Sequence, residues 1–192
     1  SFKERLVFLD SFQSLLKENI EPLAKTLSLE TGKLLYESKQ EIQASIAKVS
    51  ISIEAFLDRT PETSWSLKQQ NFTLSHKPHG VIAIYAPFNF PFHLPNGHIV
   101  PALLAGNCVI LKPSELTPLV AEMMVKLWEK AKLPKGVISL LQGGRELAKN
   151  LASSSEIQGL FFTGSAQTGL ILSKQFGATP ERILALELGG NN

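Results

Sequence analysis

The chain has 192 residues, 44% hydrophobic and 19% charged, which is the size and balance of one globular domain or of one domain with an appendage. Its 19 basic and 17 acidic side chains leave +2 with both signs scattered, against a nucleic-acid face or a polybasic membrane patch. No apolar stretch reaches the roughly 20 residues of a membrane span, no secretory pattern opens the chain, and one cysteine, Cys108, rules out an internal disulfide or a cysteine-based zinc site, so the expectation is a cytosolic α/β protein.

The first sixty residues carry a helical pattern. Phe2, Leu6, Leu9, Phe12, Leu16, Ile20, Leu23 and Leu27 recur in steps of three and four, which keeps them on one helix face. Ser1 with Glu4 spells a capping box, Pro22 suits the first turn of a renewed helix, and Thr31-Gly32 reads as its stop. A further helix is expected over about 33–57, with Leu35, Ile42, Ile46, Val49, Ile53 and Phe56 inward, and the stretch 61–64 reads as a loop. Phe72, Leu74 and His76 then alternate with polar residues, the pattern of a half-exposed strand. Trp65 and Trp128 read as packing residues.

After Pro78-His79-Gly80 the period changes. Apolar runs at 81–86, 108–111, 137–141, 160–163 and 183–187 alternate with helix-length segments at 94–104, 117–132, 145–152 and 166–176. Runs that are apolar throughout suit strands buried on both faces, and helical crossovers force them parallel. The predicted fold is therefore α/β, a five-stranded parallel Rossmann-like sheet behind an N-terminal helical segment.

Ligands of such sheets bind beyond the carboxyl ends of the strands, so those ends are the candidate site. The first carries Pro87-Phe88-Asn89-Phe90-Pro91, where flanking prolines stiffen a turn around one carboxamide. Asn89 could stabilise an oxyanion or simply bond its own turn. The second carries Lys112-Pro113-Ser114-Glu115, either a pair that grips a ribose or an ordinary surface ion pair. The fourth carries Thr163-Gly164-Ser165-Ala166-Gln167-Thr168-Gly169, a helix N-terminus suited to a pyrophosphate or a plain serine cap. The fifth carries Glu187-Leu188-Gly189-Gly190-Asn191-Asn192, whose carboxylate reads as a poorly solvated general base or as a surface residue. Cys108, at the opposite end of its strand, reads as an inert core residue. His93 and His98 are five apart, the wrong spacing for two ligands on one helical face, and no metal site is expected.

These four motifs, in this order, resemble the NAD(P)-dependent aldehyde dehydrogenase superfamily over essentially the whole chain. The stretch from His93 to Pro101 is similar to the branch acting on N-succinylglutamate 5-semialdehyde in bacterial arginine catabolism. The resemblance implies that Asn89 donates to the oxyanion and that Glu187 activates the water that cleaves a thioester. It also implies that Lys112 and Glu115 bind the adenosine ribose of NAD, that Gly164, Ser165, Ala166, Gln167, Thr168 and Gly169 form the pyrophosphate site, and that Gly143-Gly144 pass near the adenine. Phe92 is expected to narrow the substrate entrance. The family's nucleophilic cysteine is expected beyond Asn192. The chain would then comprise N-terminal helices (1–65), a strand and linker of an oligomerisation element (66–79) and an NAD-binding domain (80–192). The expected partners are a small aldehyde and further copies of the intact protein, with no nucleic acid and no membrane. An isolated dinucleotide-binding module without turnover, another semialdehyde dehydrogenase of the superfamily and an NADPH-dependent acyl-phosphate reductase are the competing readings.

Overall fold

The computed structural model describes residues 1–190; Asn191 and Asn192, the end of the last motif, lie outside the described residues. Helices α1 (Phe2–Glu18), α2 (Ile20–Thr31) and α3 (Leu35–Arg59) open the chain. The Ser1–Glu4 capping box starts α1, and Gly32 ends α2 at φ 74°, a left-handed conformation that glycine adopts at little steric cost. Helices α1 and α2 pack on α5 (Pro118–Lys130), where the Phe12 and Trp128 rings stack at a centroid distance of 3.7 Å with both side chains fully buried, while α3 packs on α4 (His93–Leu104). Truncating either ring would cost about 3–5 kcal/mol.

A hairpin of β1 (Thr63–Leu67) and β2 (Gln70–Leu74) follows, so the stretch read as a loop at 61–64 runs into a strand. Its turn residues, Lys68 and Gln69, sit at φ 46° and 66°, a conformation for which sequence reading expects Asn or Gly. Every residue of both strands is exposed, so the strand is not half-buried within the chain. The register puts Trp65 opposite Phe72, and with Leu67 and Leu74 they form one apolar face. Trp65 stacks on Phe72 but is 49% exposed, and so is not a core residue.

The remaining strands are β3 (Val81–Tyr85), β4 (Cys108–Lys112), β5 (Ile138–Leu140), β6 (Gly159–Gly164) and β7 (Ile183–Leu188). They form one parallel sheet in the order β5-β4-β3-β6-β7. From β3 the chain winds outward through β4 and β5, then returns to add β6 on the other side of β3. The crossover helices are α4 (His93–Leu104), α5, α6 (Arg145–Ser153) and α7 (Ala166–Phe176). Helices α4 and α5, backed by α1 to α3, cover one face and α6 and α7 the other. Strand alternation divides the core accordingly: Ile82, Ile84, Val109 and Leu111 face α4 and α5, while Ala83, Tyr85 and Leu160 face α6 and α7. Phe92 is fully buried in the α4 core, so it lines no entrance. Cys108 is half-buried at the amino end of β4, beside a hollow of about 190 Å³ that Arg5 and Val137 also line.

Candidate active site

The winding reverses between β3 and β6, and a crevice opens beyond their carboxyl ends. It is a cleft of about 1610 Å³ whose walls include Asn89, Lys112, Glu115, Gly164, Ser165, Gln167, Thr168 and Glu187. All four motifs therefore reach one space. Ala166 and Gly169 do not line it, nor do Gly143 and Gly144, whose place on the wall is taken by Arg145, Glu146 and Lys149 of α6. Gly169 lies against β7 instead: a Cβ there would come within 2.4 Å of the Leu188 side chain, so its lack of one sets how closely α7 packs.

Asn89 is exposed at the turn after β3. Its Oδ1 accepts the Phe90 N–H at 3.0 Å, which fixes the carboxamide plane and leaves Nδ2 without a partner among the described residues. The turn-bonding reading of Asn89 and the donor reading are thus compatible, since one end of the amide does each. Lys112 ends β4 on the α6/α7 face, is only 7% exposed, and spends one donor on the Pro113 carbonyl at 2.9 Å. Its Nζ lies 3.7 Å from Oε2 of the exposed Glu115. Ser165 is the N-cap of α7, accepting the Thr168 N–H at 3.3 Å and donating to Thr168 Oγ1.

Glu187 belongs to the other face. Leu186 and Leu188 point to α7, so alternation turns Glu187 toward α4, where Thr163 Oγ1 donates to its Oε2 at 3.2 Å. His98 of α4 brings Nε2 to 3.4 Å from Oε1, its ring tilted against Phe161. Burial lowers the His98 pKa, which favours neutral imidazole; Glu187 opposes that shift and Lys48 adds to it. The Glu187 side chain is 53% exposed, on the end strand of the sheet order, so residues 1–190 do not by themselves desolvate the carboxylate. His98 escaped sequence reading because its partner lies 89 positions away on another element. Among the described residues no cluster of His, Cys, Asp or Glu could hold a metal ion.

A dinucleotide fits the cleft. The space is large enough, the N-terminus of α7 reaches it through Ser165, Gln167 and Thr168, Lys112 keeps unused donors, and Glu115 offers an exposed carboxylate to a diol.

The sequence profile of the aldehyde dehydrogenase family matches residues 1–192. The chain belongs to that family. It is 54% identical over its whole length to the N-succinylglutamate 5-semialdehyde dehydrogenase of Ectopseudomonas mendocina and spans 39% of that protein. Solved structures of aldehyde dehydrogenases share the fold. A glyceraldehyde-3-phosphate dehydrogenase of Methanocaldococcus jannaschii, complexed with NADP, superposes with a TM-score of 0.92 at 28% identity, over 100% of this chain and 42% of that one. An aldehyde dehydrogenase of Brucella melitensis biovar abortus does so with a TM-score of 0.92 at 34% identity, over 99% of this chain and 40% of that one. These family members carry the parallel sheet and lead-in helices described above, and no helix of the described residues is long and apolar enough to cross a membrane.

Proposed function

We propose that the intact protein is an NAD-dependent aldehyde dehydrogenase of the cytosol, acting in arginine catabolism, that oxidises N-succinyl-L-glutamate 5-semialdehyde to N-succinylglutamate. The observation that carries this reading is the convergence of Asn89, Lys112, Glu115, Ser165 and Glu187 on one cleft at the reversal of the sheet. The identity to the Ectopseudomonas enzyme supports the substrate. Residues 80–192 are the dinucleotide-binding domain, residues 1–65 its packed helices, and residues 66–79 contribute to a homo-oligomer contact. Over the remaining length of the relatives, the second domain supplies the nucleophilic cysteine.

The sheet divides the work between its faces. On the α6/α7 face Glu115 accepts from the adenosine ribose hydroxyls while Lys112 donates to them, and the α7 N-terminus with Ser165 and Thr168 takes the pyrophosphate. The chemistry that a bound NAD would supply there is acceptance of a hydride from the substrate carbon. From the turn after β3 Asn89 Nδ2 donates to the carbonyl oxygen as it becomes an oxyanion, a stabilisation of about 3–4 kcal/mol for such donors. Glu187 then takes a proton from the water that cleaves the thioester, with Thr163 and neutral His98 holding its two oxygens.

The test is Glu187→Gln in the full-length enzyme. The burst of NADH, which reports hydride transfer, should persist while steady-state turnover falls by about 100-fold or more. Equal loss in burst and steady state would remove Glu187 from the role, and no reduction of NAD with the succinylated semialdehyde would remove the substrate assignment.

A further inference from the structure

Helix α4 begins with Phe92 as its N-cap, and no side chain of its own caps it. The missing acceptor comes from 51 residues upstream. Glu41 of α3, its side chain 1% exposed, accepts the N–H groups of Phe92 and His93 on Oε1 at 3.0 and 3.1 Å. Its second oxygen, Oε2, meets Lys33 Nζ at 2.6 Å. The same ammonium lies 3.6 Å from the centroid of the Phe90 ring. Lys33 is itself fixed just beyond α2, where its N–H donates to Thr31 Oγ1 and its carbonyl accepts from Ser28 Oγ.

The turn from Pro87 to Phe92 is therefore held from outside its own sequence. Two of its residues are prolines with no N–H to give. Asn89 is followed by a ring clamped by Lys33 and then by the peptide groups clamped by Glu41. A carboxylate is the fitting acceptor, because it faces both the positive end of α4 and a cation. We propose that Lys33 and Glu41 are positioning residues that set the Asn89 carboxamide at the cleft. The proposal rests on Asn89 being the oxyanion donor. The N-terminal helices then contribute to transition-state geometry as well as to packing.

Glu41→Gln keeps an oxygen for the two N–H groups but turns an amide toward Lys33. Lys33→Met keeps the stem and removes both the ion pair and the ring contact. In the full-length enzyme each should lower kcat by about tenfold to a hundredfold, the size of loss that sub-ångström misplacement of a catalytic group produces. NAD affinity, read by NADH fluorescence titration, should stay within about twofold, because the dinucleotide is gripped on the other face. Lys33→Arg should recover most of the activity, since a guanidinium can make both contacts. The deciding measurement is the cycle with Asn89→Ala: in that background Glu41→Gln should cost less than about twofold more. A full additional loss, or a parallel loss of NAD affinity, would overturn the positioning role. Asn89→Ala retaining wild-type kcat would instead remove Asn89 as donor, a different failure seen before either strap variant is made. Should Glu41→Gln not fold, Lys33→Met carries the same cycle. Hydrogen exchange in the 87–93 segment gives a readout free of catalysis: it should quicken in Lys33→Met with residues 159–164 unchanged, and unchanged exchange at 87–93 would overturn the proposal.

Discussion

Under the proposed function, cofactor choice turns on the Glu115 carboxylate. Its side chain is 63% exposed, so its charge acts through a largely aqueous medium. A 2′-phosphate of nearly two charges placed about 5 Å from it would be repelled by about 1.7 kcal/mol at a water-like dielectric, roughly 15- to 20-fold in binding. Lys112, 3.7 Å away, offsets part of that repulsion in the parent and is released to attract the phosphate once Glu115 is neutral. Glu115→Gln should thus raise kcat/KM for NADP by about 20-fold or more while lowering that for NAD by a few-fold through loss of a charge-assisted hydrogen bond. The assay is initial rates of the intact enzyme with both cofactors at two ionic strengths, the NADP gain shrinking as salt rises. Weaker NAD use with no gain for NADP would refute the reasoning and shift selectivity to the α6 wall, where Arg145 and Lys149 line the same cleft.

Two further outcomes concern stability. Burial lowers the pKa of His93 and of His98 below the ordinary 6.5, while Glu41 and Glu187 respectively oppose the shift and Lys48 adds to both. The unfolded chain then binds more protons than the folded one below about pH 6.5, so stability should be level above that pH and fall as pH drops toward the folded values. Urea melts between about pH 5 and 8 should show this slope, and His93→Gln with His98→Asn should flatten it; an undiminished slope would place its origin elsewhere. Gly169→Ala should destabilise by about 1–3 kcal/mol, because the new methyl collides with Leu188, and adding Leu188→Ala should recover part of the loss in thermal melts.

The order of the parallel strands and their crossover helices was legible from periodicity alone. Apolar runs without alternation mark strands of a covered sheet, and the structure has a strand where each of the five falls, although the outer strands β5 and β7 hold no buried residue and so are not buried on both faces as expected. Hidden from the sequence were relations that folding creates between distant positions. Neither the Glu41 oxygen under α4 nor His98 beside Glu187 leaves a local signature, because each pair is joined only in three dimensions. The hairpin escaped for the opposite reason: its turn is local, but Lys68-Gln69 lacks the residues that announce left-handed backbone. The exposure of Glu187 was hidden because chain order does not reveal that β7 ends the strand order.

Glu30 of α2 treats α5 much as Glu41 treats α4, accepting the Leu119 and Val120 N–H groups at 2.7 and 2.9 Å across some ninety positions. Both helices that leave the catalytic edge on that side thus wait for a carboxylate made early in the chain. During synthesis the leading helices emerge first and can store those acceptors until the sheet arrives. Placing residues 1–60 after the sheet would reverse that timetable and should slow folding during synthesis more than it lowers final stability.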